Sequence, residues 1–475
     1  MLFPTFEFAI FFFIVVIGNW VLKRWEIPWK VFLLIASYYF YGSWNVKLLG
    51  LIFFVTVSSY LFSILIAGSK DSLHKKLYLT ISIALSLSVL GFFKYYDFFI
   101  HSLNLILSPS QPIDATLSGI ILPIGISFFT FQAISYTVDV YRGEIQADSS
   151  KLGALNYMVY IAFFPQLVAG PIVRAKIFLP QFRPDYAKKV PNMHLAFFLI
   201  MGGLVKKLIL STYLLEHIVK DVMITPFAYS PFEILLGIYA YSAMIYCDFS
   251  GYTDIAIGTA LLLGFRFPDN FNNPYQAVNI QDFWRRWHIS LSTWLKDYLY
   301  IPLGGNRRGV TMTQVNIMVT MILGGLWHGA SFSFIIWGAL HGVALVFHRG
   351  WQGIKKHLFP GFEGNKWTQA LAILLTFHYV SFLWIFFRPD LKDSLNILSA
   401  LTRFETGIHG ISLHVVLAIG VGLGINFFGD RIQEIYLRMQ TRSPYLLQWI
   451  NNSLVLIGII AMSPDTIPDF IYFQF

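Results

Sequence analysis

The chain has 475 residues, of which 56% are hydrophobic and 12% charged, and its mean hydropathy is +0.61. A soluble domain carries about a quarter charged residues, so this composition excludes an ordinary soluble enzyme and defines an integral membrane protein. The net charge of +9 is spread over loops, with no long basic run or aromatic-interleaved patch, and gives nucleic-acid binding no support. A single cysteine, Cys247, excludes an intramolecular disulfide and a multi-cysteine metal site, and reads as a small buried hydrophobe.

Crossing a hydrocarbon core takes about 20 apolar residues in a helix. In chain order the candidate segments are 6–22, 31–43, 48–67, 77–93, 118–138, 154–172, 195–215, 230–248, 252–264, 311–327, 331–348, 368–387, 411–429 and 446–462. No basic run precedes the first of them and no small-residue cleavage site follows it, so it is expected to be a retained helix rather than a cleaved signal. Lys23, Arg24 and Lys30 after the first segment, with Lys70, Lys75 and Lys76 after the third, place the amino terminus outside the cytoplasm.

Parity then requires two segments to enter and leave on the same side. Segment 154–172, interrupted by Pro165, Gly170 and Pro171, and the short segment 252–264 are the expected re-entrant elements. With that correction 266–308, 349–366 and 430–445 fall inside and the carboxyl terminus outside. The expectation is a single membrane domain over 1–475, all-α and polytopic, with a short extracytoplasmic aromatic tail at 463–475.

Chemistry concentrates in few places. His328 lies in Gly324-Gly-Leu-Trp-His-Gly-Ala-Ser331, between apolar runs. An ionisable group at membrane depth is costly and marks a functional site, and imidazole exchanges protons near neutrality. The alternative is a packed, hydrogen-bonded histidine. The longest polar stretch, Phe283 to Gly309, combines Arg285, Arg286, Lys296, Arg307 and Arg308 with Trp284, Trp287 and Trp294. Guanidinium groups fork onto phosphates and flat aromatics stack on bases, which suits a nucleotide-bearing thioester at a cytoplasmic face. An interfacial amphipathic helix would share that composition.

His288 lies in the same stretch, and His341 reads as structural. No His-Glu-x-x-His pattern occurs, so no metal site is expected. Asp248 and Asp254 stand in an apolar region, where they line a polar cavity, orient an imidazole or pair with Arg266 or Arg286. Lys206 and Lys207 either snorkel or mark a helix that starts later than drawn. Tyr472, in the aromatic tail, is either an interface anchor or a phenol whose intrinsic pKa near 10 suits an acyl relay.

Asp248-Phe-Ser-Gly-Tyr-Thr-Asp254, Phe283-Trp-Arg-Arg-Trp-His288, Leu303-Gly-Gly-Asn-Arg307 and Leu326-Trp-His-Gly-Ala330 resemble motifs of the membrane-bound O-acyltransferase family. So do Leu122-Pro-Ile-Gly-Ile-Ser-Phe128, Val138-Asp-Val-Tyr-Arg142 and Pro165-Gln-Leu-Val-Ala-Gly-Pro171. The likeness runs over nearly the whole chain and is greatest to the bacterial branch holding the alginate and peptidoglycan O-acetyltransferase membrane subunits.

The resemblance implies a ring of roughly 12 transmembrane helices, with re-entrant and interfacial helices, around a central tunnel through a thinned bilayer. It implies a bacterial inner-membrane enzyme with both termini extracytoplasmic. His328 would be the essential histidine, His288 its partner and Tyr472 an acyl relay. Arg285, Arg286, Trp287, Lys296, Asn306 and Arg307 would meet acetyl-CoA, a donor rather than a permanently bound cofactor. An extracytoplasmic SGNH-type, esterase-like transferase would complete transfer to a polysaccharide acceptor, alginate-like or peptidoglycan. The competing expectations are D-alanyl transfer from a carrier protein to teichoic acid, a proton-coupled transporter, and a non-catalytic scaffold.

Overall fold

A computed structural model of the protein describes residues 1–107, 113, 122–168, 170–183, 192–358, 364–403, 407, 410–464 and 466–473. Among them every regular element is a helix, and nine helices are long and apolar enough to cross a membrane. The first helix, Phe6–Leu22, is apolar but has 17 residues. The protein is thus an all-α, multi-pass membrane protein. Segment 118–138 begins outside the described residues; its remainder forms the helix Ile126–Tyr141.

The chain contacts divide into two compact units, one of Met1–Ala196 with Ala256–Pro268, the other of Phe197–Ile255 with Asp269–Phe475. In the first unit, buried serines and threonines satisfy themselves on their own helices: Ser37, Thr56 and Ser63 donate to carbonyls four residues back. Asn19 ties distant segments together, accepting from Trp29 Nε1 at 2.7 Å and donating to the Leu263 carbonyl at 3.2 Å. Segment 154–172 is broken, as Pro165 requires: the helix Lys151–Ala162 ends at a non-helical Phe163, and a single turn Phe164–Leu167 follows. That turn is fully buried, the condition under which irregular backbone survives at membrane depth.

Segments 230–248 and 252–264, expected as separate elements, are one continuous 32-residue helix, Pro231–Leu262. The expected re-entrant element at 252–264 therefore does not exist. Gly251 serves a crossing. A Cβ there would lie 2.9 Å from the Gly203 carbonyl oxygen and 3.1 Å from Lys207 N, so only glycine admits the neighbouring helix Met193–Ile224.

The same helix pair corrects the reading of the lysines. Lys206 and Lys207 neither snorkel nor precede the helix; they lie on a π-helical stretch, Val205–Ser211, and turn inward. Lys206 pairs with Asp254 and Lys207 with Asp248, each at 2.5 Å. The close backbone approach at Gly203 and Gly251 brings both lysines to these aspartates, while Arg286 pairs with Asp282.

Also in the second unit, Gly309–His328 and Phe332–Leu358 form a tight helical hairpin. A Cβ on Gly325 would stand 2.2 Å from the Phe334 carbonyl oxygen, and one on Gly338 2.3 Å from that of Met321. Backbone packs on backbone, the small-residue solution to helix association where no water drives it. The hairpin turn directly follows His328 and holds it at a helix end. Cys247 is a buried free thiol, as expected.

Candidate active site

His288 sits between two short helices, Ile280–Arg286 and Ile289–Leu295. Asn279 caps the first, accepting from Asp282 N at 2.9 Å. His288 itself has φ +42° and ψ +55°, a left-handed conformation that a bulky side chain rarely adopts. The surroundings hold it there. Asn270 Oδ1 accepts from Ser290 N at 3.1 Å and from Ser290 Oγ at 2.7 Å. His288 Nδ1 lies 3.1 Å from the same oxygen.

The amide N–H of Ser290 can only donate, which fixes Asn270 Oδ1 as the acceptor and the proton of His288 on Nδ1. Nε2 is left as a bare lone pair, buried and without a hydrogen-bond partner among the described residues. Burial also pulls the His288 pKa down to about 3, so the ring is neutral at any physiological pH.

The three residues marked for catalysis in the sequence come together. The ring centroid of His328 lies 5.4 Å from that of Tyr472 and 6.4 Å from that of His288, and Tyr472 is 6.4 Å from His288. Aromatic rings wall the group in: Phe249 stands 4.7 Å from His288 and 4.5 Å from Tyr472, while Trp337 and Phe387 lie 5.1 and 5.0 Å from His328. Tyr472 is half-buried as a residue, but its hydroxyl is buried and has no hydrogen-bond partner among the described residues. Burial pushes the phenol above its usual range, so it stays protonated until a base takes the proton.

The expected donor-binding residues divide. Lys296 and Asn306 line a cavity of 640 Å³, together with Trp284, His348, Arg349 and Lys356. Arg349 donates to Asn306 Oδ1 at 3.2 Å. Arg285 and Arg307 are exposed and stand apart from that lining. Arg286 is held by Asp282 at 3.0 Å. Trp287 is fully buried, packed 4.9 Å from Trp384 and 5.0 Å from Phe271, so its faces are covered by the protein's own rings. His341 is buried and accepts from Trp284 Nε1 at 3.3 Å.

Sequence reasoning missed Asn270, which sits in a loop without periodic signal, and Arg349 and Lys356, which lie in no motif. Among the described residues no group of three or more histidine, cysteine or acidic side chains is placed to hold a metal.

Two histidines and a phenol thus lie together in an aromatic enclosure on a polytopic helical scaffold. The profile of the membrane-bound O-acyltransferase family matches residues 33–387, and the chain belongs to that family. It is 38% identical over 409 residues to a peptidoglycan O-acetyltransferase of Helicobacter pylori, covering 81% of this chain and 75% of that one. It is 40% identical over 413 residues to a probable alginate O-acetylase of Pseudomonas aeruginosa, covering 86% and 76%. A teichoic acid D-alanyltransferase of Bacillus subtilis is 28% identical over 271 residues, covering 54% and 67%. The protein is a membrane-bound acyltransferase.

Proposed function

We propose that the protein moves acetyl groups from cytoplasmic acetyl-CoA across a bacterial inner membrane for O-acetylation of an extracytoplasmic polysaccharide, alginate-like or peptidoglycan. The observation that carries this reading is the meeting of His288, His328 and Tyr472 in one aromatic enclosure. Both termini face the extracytoplasmic side, on the strength of the positive charges after the first and third helices. The acceptor is served through an SGNH-type partner. Identity favours acetyl over D-alanyl transfer: the O-acetylating relatives are 38–40% identical and the D-alanyl relative 28%.

The chemistry follows from the proton inventory. Tyr472 Oη attacks the thioester carbonyl as His328 removes its proton. The C–S bond breaks, the thiolate takes that proton from the imidazolium, and free CoA leaves with an acetyl ester on the phenol. His288 Nε2 accepts a hydrogen bond and orients the phenol. Proton transfer falls to His328. An acceptor hydroxyl then attacks the ester, and the phenol recovers a proton. The rings around the site exclude water, which strengthens every hydrogen bond to the developing oxyanion and protects the thioester from hydrolysis. The cavity bearing Lys296, Arg349 and Lys356 offers cations and Trp284 to the donor's phosphates and base.

Purified protein in lipid nanodiscs should release CoA from acetyl-CoA, and His328→Ala should lower the rate by about 100-fold or more. Full release by that variant contradicts the assignment. Substrate flux without CoA release would instead identify a transporter.

A further inference from the structure

Two full charges, Lys207 and Asp248, lie 1% and 2% exposed inside the second unit, 2.5 Å apart. Such a pair is costly unless its remaining hydrogen-bonding capacity is met. Asp248 Oδ1 also accepts from Ser211 Oγ at 3.3 Å. The remaining partners come from the last residues of the chain. Asp248 Oδ2 accepts from the Ile471 backbone N–H at 2.9 Å, and Lys207 Nζ donates to the Asp469 carbonyl at 3.3 Å. The carboxylate thus takes a donor and the ammonium an acceptor from one tripeptide, Asp469 to Ile471. Between those anchors Phe470 is fully buried, 4.4 Å from Tyr252 and 5.6 Å from Phe249. Tyr472 is the next residue.

We propose that the buried Lys207–Asp248 pair is a peptide-docking site for the backbone of the carboxyl-terminal tail, and that it acts as a latch setting the reach of Tyr472. The recognition is of main chain, by a carboxylate for one N–H and an ammonium for one C=O, with an aromatic seat for one phenyl ring. Side-chain identity at 469 and 471 is therefore secondary, whereas the N–H of 471 is not. Removing the tail would leave Asp248 Oδ2 and part of the ammonium without partners in a buried place, so pair and tail stabilise each other. A cavity of 160 Å³ adjoins the latch, lined by Lys207, Asp248, Asp469, Ile471, Lys220 and Arg388. The catalytic consequence rests on the relay reading of Tyr472; the docking itself does not.

The test measures docking and chemistry separately, on the full chain in nanodiscs. Hydrogen exchange followed by mass spectrometry reads the amides of 469–473, and intact mass reads acetyl on Tyr472. The double variant Lys207→Met/Asp248→Leu removes both charges together. Ile471→Pro deletes the single tail N–H without touching a membrane helix. Both should speed tail exchange at least tenfold, leave exchange in Leu413–Arg442 unchanged, and slow acetylation of Tyr472 at least tenfold at unchanged KM for acetyl-CoA. If the double variant fails to fold, Ile471→Pro decides alone. Unchanged tail exchange in Ile471→Pro overturns the latch. Faster tail exchange in a protein whose wild type never carries acetyl keeps the latch and overturns only the relay.

Discussion

His288 Nδ1 sits 3.1 Å from Asn270 Oδ1, and that contact decides which nitrogen of the ring faces the reaction. Asn270→Ala removes the acceptor that holds the proton on Nδ1 and lets the ring turn. We expect acetyl transfer to fall by about 10–100-fold, the range seen when a partner that orients an imidazole is lost. Asn270→Asp, which keeps the oxygen, should retain more activity than Asn270→Ala. Initial rates of CoA release at fixed acetyl-CoA check the order.

The left-handed backbone at His288 separates a chemical role from a conformational one. Asparagine tolerates φ +42° far better than alanine does. His288→Asn should therefore keep thermal stability close to wild type yet lose transfer, whereas His288→Ala should lose both. Thermal midpoints in detergent, measured beside CoA release, distinguish the variants.

Acid should loosen the fold through the same residue. Above pH 6.5 both folded and unfolded His288 are neutral. Between 6.5 and about 3 the unfolded state binds a proton that the buried ring refuses, so stability falls as pH falls through that window. His288→Asn removes this term, and its midpoint should drop less than that of wild type between pH 7.5 and pH 5.

The hairpin carrying His328 depends on backbone contact. Gly325→Ala puts a Cβ 2.2 Å from a carbonyl oxygen, which cannot swing aside as a side chain would. A cost of about 1–3 kcal/mol is expected. Gly420→Ala, where nothing lies within 4 Å, should be neutral. Melting curves of the two variants provide the comparison.

Donor binding should separate from chemistry at the basic cavity. Lys296→Glu and Lys356→Glu place like charge against the donor's phosphates and should raise KM for acetyl-CoA by about tenfold while kcat changes little. Arg307→Glu, outside that lining, should change KM less.

Much of this was legible in the sequence because hydropathy and motif each report one strong physical constraint. His328 stood out since an ionisable side chain inside an apolar run is expensive, and Pro165 announced a broken helix. The continuity of the helix through Gly251 was not legible. Glycine both breaks helices and permits close crossings, and only the neighbour at Gly203 shows which is meant. The lysine–aspartate pairs were hidden because 41 residues separate Lys207 from Asp248 and a helix crossing brings them together. Trp287 looked available for stacking because composition does not distinguish a ring on a ligand from a ring on other rings.

The most direct test is the intact mass of the protein in nanodiscs after brief exposure to acetyl-CoA, with peptide mapping of the tail. The account predicts one acetyl group on Tyr472, absent from Tyr472→Phe and from His328→Ala, with CoA released in step. CoA release at the wild-type rate from Tyr472→Phe, with no acetyl on the tail of the wild type, would contradict it.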